Sequence, residues 1–252
     1  MGQTLAGLPG TYVLRPTAEE AAGALAELLV EHLQTRLAAV ETVHLALSGG
    51  SSAKLLGPAL KEKNRLSSQE WSRVHLWLVD ERCVSDDDPH LNFALIRDGV
   101  AAPLSIPMAN LHAMPVLRKS GDREYEHAIT LALSGRSPAD RRFDAVVLGM
   151  GPDGHTASLF PQSPALDETE RWVVFNDGER VVPPRPRMTL TYPALSSALL
   201  IVLLVTGAAK RAALAKTAAR TSEFHLWPVA GLSPPGDARL LWFVDRAALP
   251  AP

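Results

Sequence analysis

Apolar and polar positions follow two different rhythms along this chain. Leu25, Leu28, Leu29, Leu33, Leu37 and Val40 recur at helical spacing, which predicts a long amphipathic helix with one face turned to a core. Thr17-Ala18-Glu19-Glu20, just after Pro16, reads as its capping box. Short runs rich in β-branched residues and leucine then predict strands at Val43–Leu47, Val74–Val79, Ala145–Leu148, Val173–Phe175, Met188–Thr191, Leu199–Val205 and Leu240–Val244. Several are continuously apolar, the pattern of strands covered by helices on both faces. Helical patterns return at about Ser52–Asn64, His90–Val100, Asp122–Ser134 and Ala208–Thr221. The alternation predicts an α/β chain, one domain with a mostly parallel sheet. Ser233–Asp237 is expected as a surface loop before the last strand.

Composition narrows the function. The chain has 252 residues, with 25 basic against 27 acidic side chains and a net charge of −2. That length suits a single domain large enough to need no covalent staple. The near-neutral balance argues against a general nucleic-acid or membrane-surface binder, so an anionic ligand must be caught by a local cluster. Cys83 is the single cysteine. It rules out an intrachain disulfide and a multi-cysteine zinc site, and it fits a reducing, cytoplasmic compartment. The first residues, Met1 to Ala6, lack the basic-then-apolar pattern of a signal peptide. The longest apolar run, Leu199–Val205, falls far short of the ~20 residues a membrane span needs.

In open α/β sheets, ligands sit beyond the carboxyl ends of the strands, where the strand order reverses. Three predicted strand ends carry chemistry. Ser48-Gly49-Gly50-Ser51-Ser52 lies between a strand and a helix. Its paired glycines let backbone N–H groups converge, which suits either a phosphate cradle or a tight turn. It lacks the lysine of a Walker loop. Asp80-Glu81-Arg82 ends the second strand, and Arg82 has the geometry to fork onto a phosphate, a carboxylate or a rim salt bridge. The acidic run Asp86-Asp87-Asp88 reads as a solvated loop.

The third is Gly149-Met150-Gly151-Pro152-Asp153-Gly154-His155-Thr156. Gly149, Gly151 and Gly154 fit the dinucleotide fingerprint, with Asp177 about 20 residues on. Pro161, however, follows Gly154 by seven residues, too soon for the full helix that such a fold needs. No nicotinamide or flavin cofactor is therefore expected. His155 is the stronger candidate. At a helix start, backbone dipoles would favour its neutral ring, and Asp153 can accept from one ring nitrogen and leave the other as a base. Gly151 and Gly154 give a substrate close access to the backbone. The other histidines, His32, His44, His75, His90, His112, His127 and His225, read as structural or exposed. Arg185-Pro186-Arg187 and Lys210-Arg211 bring further cations to strand ends.

Taken together, these segments resemble the 6-phosphogluconolactonase family from about Ala18 to Val244. The carriers are LALSGGSS (45–52), DERCVSDDDPHLNF (80–93), FDAVVLGMGPDGHTASLFP (143–161), RMTLTYPAL (187–195) and VTGAAKRAAL (205–214). The resemblance implies a modified Rossmann-like fold. It also implies hydrolysis of 6-phospho-D-glucono-1,5-lactone to 6-phospho-D-gluconate, in the oxidative pentose phosphate pathway, with no metal or other cofactor. Carried onto matching positions, it makes His155 the general base and Asp153 its neighbour. Ser48, Gly49, Gly50, Ser51, Gly151 and Gly154 fall at the substrate, and Arg82, Arg187 and Lys210 become the anion contacts. The implied partner is a small phosphosugar lactone; no nucleic-acid or membrane partner is expected, and the oligomeric state, a monomer included, stays open.

Two positions depart from the family pattern. Ser51-Ser52-Ala53 stands where the family usually has Ser-Thr-Pro, and Leu91-Asn92 where it usually has Ser-Asn. The first keeps a hydroxyl, whereas the second loses one at position 91. Two other readings are set against the lactonase. A glucosamine-6-phosphate deaminase shares the Gly-His portion but differs after it. A non-catalytic sugar-phosphate sensor would be expected to lose the base and to carry a DNA-binding module, yet Asp153 and His155 are present and 252 residues leave no room for one.

Overall fold

The computed structural model describes residues 7–176, 185–219 and 222–249. An edge strand β1 (Thr11–Arg15) leads into helix α1 (Ala18–Ala39), β2 (Val43–Leu47), α2 (Gly50–Lys63) and α3 (Ser68–Trp71). Next come β3 (Val74–Leu78), β4 (Asp80–Arg82), α4 (Asn92–Ile96), β5 (Leu111–His112), α5 (Gly121–Leu133) and β6 (Ala145–Gly149). The chain closes with β7 (Val173–Asn176), β8 (Arg187–Leu190), α6 (Tyr192–Ser197), β9 (Leu200–Val205), α7 (Arg211–Ala219) and β10 (Arg239–Asp245). Asp177, the acid of the dinucleotide pattern, lies outside the described residues.

The periodic stripe of α1 packs inward as its spacing requires. Leu25, Leu29, Leu33 and Leu37 are buried, with Leu28 and Val40 half-buried at its edge. Thr17 starts the helix by accepting the Glu20 N–H at 3.2 Å. Both halves of a capping box form at α3, between Ser67 and Glu70.

Seven strands make one sheet in the order β1-β10-β9-β6-β2-β3-β5, with every neighbouring pair parallel. All residues of β2 and β9 are buried, as in strands covered on both faces. Helix α5 packs against this sheet through Tyr125, whose hydroxyl accepts the Leu78 N–H at 2.8 Å. Strands β2, β3 and β5 run outward to one edge, and β6, β9 and β10 run towards the other. The strand order therefore reverses between β2 and β6.

A second sheet is antiparallel and was not expected as a separate unit: β4-β8-β7. It takes up the predicted strands at 173–175 and 188–191, and it turns Asp80-Glu81-Arg82 from a strand end into a strand. The switch occurs at one residue. The Val79 N–H donates to Leu47 O at 3.1 Å in the first sheet, while Val79 O accepts from Leu190 N–H at 2.8 Å in the second. The helix expected over 90–100 begins at Asn92, remains α-helical to Ile96 and continues as a wider turn over Arg97–Ala101. Among the described residues no helix is long and apolar enough to cross a membrane.

Candidate active site

Four chain segments meet at the carboxyl ends of β2, β6 and β9 and at β4, enclosing a cleft of about 160 Å³. Residues 48–52 form its first wall. Helix α2 begins there with no side-chain cap and no acidic residue in its first turn. Its first N–H groups thus meet the cleft without a side-chain partner, a suitable place for negative charge. Gly50 has φ +67°, a conformation that favours glycine. Gly49 is required for space, because a Cβ there would lie 2.0 Å from Asn92 Oδ1.

The second wall is β4. Strand alternation turns Asp80 and Arg82 to the cleft and Glu81 away from it. The Asp80 carboxylate accepts the Ser158 hydroxyl at 2.5 Å. Asn92 Nδ2 donates to Asp80 O at 2.9 Å, which brings the start of α4 to the same wall. Arg82 Nη1 donates to the His90 carbonyl.

The third wall follows β6 and corrects an expectation: His155 does not start a helix. Local bonds close residues 149–156 into turns. The Gly151 N–H donates to His155 O at 2.7 Å, the Gly154 N–H to Gly151 O at 3.1 Å, and Thr156 Oγ1 to Gly149 O at 2.9 Å. No helix begins at His155, and its ring is oriented by Asp153. His155 Nδ1 lies 2.6 Å from Asp153 Oδ1. This contact assigns the proton to Nδ1 and leaves the Nε2 lone pair free. The ring also packs edge-on to Phe160, with centroids 5.0 Å apart. Burial pushes the Asp153 carboxyl up, but the hydrogen bond and charge of His155 outweigh it and hold the group below its ordinary value. A Cβ at Gly151 would fall 2.1 Å from His155 Nδ1 and 2.5 Å from Asp153 Oδ1.

The fourth wall is Lys210, carried by a turn after β9. Burial lowers its pKa, and the nearby Asp153 partly opposes that.

The structure therefore brings Ser48, Gly49, Gly50, Ser51, Arg82, Gly151, His155 and Lys210 onto one cleft. Asp153 touches it through His155. Gly154 and Arg187 stand outside. Gly154, at φ +82°, seats the turn on Trp227, whose Cε3 would be 2.8 Å from a Cβ. Arg187 is buried on β8, opposite Arg82 in the strand register, and its Nη1 donates to Arg185 O at 2.8 Å. Burial lowers its pKa, and the charge of Arg82 adds to that. Sequence reasoning did not assign the lining residues Ser52, Asp80, Asn92, Gly149, Met150, Pro152 and Ala157 to the site. Asp80 was not readable, since the strand face that it shares with Arg82 exists only through pairing with β8. Nothing local marked Ala157, which sits at φ +52°. Among the described residues no group of three or more His, Cys, Asp or Glu side chains is placed to hold a metal ion.

Comparison with known proteins bears on the whole of this frame. The profile of the family described as glucosamine-6-phosphate isomerases/6-phosphogluconolactonase matches residues 16–242. The chain is 35% identical to a 6-phosphogluconolactonase of Nostoc sp., covering 88% of this chain and 90% of that one. It is 37% identical to the GDH/6PGL endoplasmic bifunctional protein of Oryctolagus cuniculus, but spans only 26% of that longer protein. Among solved structures, the 6-phosphogluconolactonase of Thermotoga maritima superposes with a TM-score of 0.78 at 26% identity, over 93% of this chain and 99% of that one.

Proposed function

The chain belongs to the glucosamine-6-phosphate isomerase/6-phosphogluconolactonase family, and from that premise we propose that it hydrolyses 6-phospho-D-glucono-1,5-lactone to 6-phospho-D-gluconate. One observation carries the reading. A histidine with Nδ1 engaged by a carboxylate at 2.6 Å shares its cleft with an uncapped helix start, an arginine and a lysine. The first group activates water, and the others hold an anion.

In the proposed reaction, His155 Nε2 takes a proton from a water as the water oxygen bonds to C1 of the lactone. Asp153 steadies the imidazolium through Nδ1. The tetrahedral oxyanion forms against a wall lined by N–H groups and cations, and the C1–O5 bond then breaks. The ring oxygen leaves with the proton returned from His155. A lactone is an activated ester, so one base suffices and no covalent nucleophile is needed. General-base help of this kind contributes about 10²–10⁴ in rate. The phosphate, held by the glycine-rich loop with Arg82 and Lys210, anchors the remote end so that binding energy places C1 beside the water. Arg187 adds positive potential from behind Arg82.

The test is proton release from freshly generated 6-phosphogluconolactone, set against the spontaneous background and against the unphosphorylated lactone. The reading predicts strong acceleration of the phosphorylated substrate only. No acceleration by folded protein, particularly with ammonia released from glucosamine 6-phosphate, would reject it.

A further inference from the structure

Two members of the charged triplet on β4 face the cleft, and the reaction leaves the third without a task. Glu81 is 1% exposed and has no cation in contact among the described residues. Instead it gathers backbone donors. Its Oε1 accepts the Arg82 N–H and the Asn92 N–H, each at 2.8 Å, and Oε2 accepts the Phe93 N–H at 2.7 Å. Asn92 and Phe93 open α4, and Leu91 at its N-cap makes no side-chain cap bond. The Glu81 carboxylate thus supplies, from a different element, the acceptor that a capping side chain would provide. Asn92 extends the chain of contacts, since Nδ2 donates to Asp80 O and Oδ1 lies against Gly49.

Holding a carboxylate in this place is unfavourable. Burial pushes Glu81 up to about 7, although its three N–H donors pull it down. An apolar residue here would leave three buried N–H donors unpaired, so the carboxylate is what holds the two elements in register. A single side chain joins the strand that carries Arg82 to the helix start that carries Asn92. We infer that Glu81 is a positioning residue, fixing Arg82 and Asn92 on the cleft wall and so setting affinity for the phosphate of the substrate without touching it. The inference rests on the reading of this cleft as the site of a phosphorylated lactone. His155 and Asp153 hang from β6 and share no hydrogen bond with Glu81, so the effect falls on binding and not on turnover.

The test uses the full chain. Glu81→Gln is expected to raise KM for the lactone about tenfold, with kcat within about twofold, and to weaken competitive inhibition by inorganic phosphate by the same factor. In an Arg82→Ala background, Glu81→Gln should add clearly less than its tenfold effect in wild type, because part of that effect runs through Arg82 and only the part through Asn92 remains. Glu81→Asp keeps the charge but draws it back by one methylene, and should shift KM in the same direction. It replaces the glutamine variant if that one does not fold. Unchanged KM and phosphate inhibition in a folded variant would overturn the inference, as would a full further loss in the Arg82→Ala background. Failure of wild type to hydrolyse the lactone would count against the proposed function alone. Phosphate affinity of wild type and Glu81→Gln, measured by calorimetry, would then decide the role of Glu81.

Discussion

His155 owes its orientation to the Asp153 contact at 2.6 Å and to the missing side chain at Gly151. Gly151→Ala should therefore push the His155 ring away from the Asp153 carboxylate and lower kcat about 10²-fold, with KM changed by less than about threefold, in a protein that melts near the wild-type temperature. Asp153→Asn should be milder, about tenfold in kcat, because the Asp153 side chain is 47% exposed and solvent screens its charge. Steady-state kinetics of the two variants together check this ranking. The His155–Asp153 pair was legible in the sequence, because a spacing of two places both side chains in one turn. The absence of a helix was not. It depends on positive φ at Gly154 and Ala157 and on Trp227, which packs under the turn from a distant segment.

Strands with mostly apolar, β-branched or leucine-rich runs announced themselves: β2, β3, β6, β9 and β10 lie where their runs predicted. Strand β1 did not, since every residue in it is only half-buried at the sheet edge. Strand β4 carries three charges, and only its pairing with β8 makes it a strand. The same limit hid a buried ionic cluster just before β6. Asp144, fully buried, accepts Arg36 Nε, Arg136 Nη2 and the His44 N–H, each at 2.7 Å, and thereby ties α1 and β2 to β6. Asp144→Ala strands two guanidinium groups and should cost about 3–5 kcal/mol in denaturant unfolding. The cluster lies at the opposite end of the strands from the cleft, so KM of the surviving folded fraction should not change.

Across the whole molecule, the general rule for open parallel sheets put the cleft at the reversal of strand order, and the glycine-rich loops after β2 and β6 flank it. Register between strands was beyond a linear reading, and it creates a ladder of rings. His44 and His75 are register partners and stack, His75 Nδ1 lies 3.0 Å from His112 Nε2, and Trp77 stacks on His112 at 3.6 Å. Burial is the main cause that drives His44 down to about 3 and His112 to about 4, and it lowers His75 as well. Folding thus resists their protonation. Between the ordinary histidine value of 6.5 and about pH 4 the unfolded chain binds more protons, so stability falls as pH falls, by at most about 1.4 kcal/mol per pH unit for each ring. Glu81, raised to about 7, acts in the opposite sense over part of that window and blunts the slope. Urea midpoints at pH 7.5 and pH 5 should show the loss, and His112→Gln should reduce it. A midpoint that rises on acidification would contradict the sign.

The base itself is the decisive point. His155→Ala, compared with wild type on freshly generated 6-phosphogluconolactone, should lose about 10²–10⁴ in kcat while KM stays within about threefold, because the phosphate grip is intact. A folded His155→Ala protein that turns the lactone over at the wild-type rate would show that water is activated by some other group.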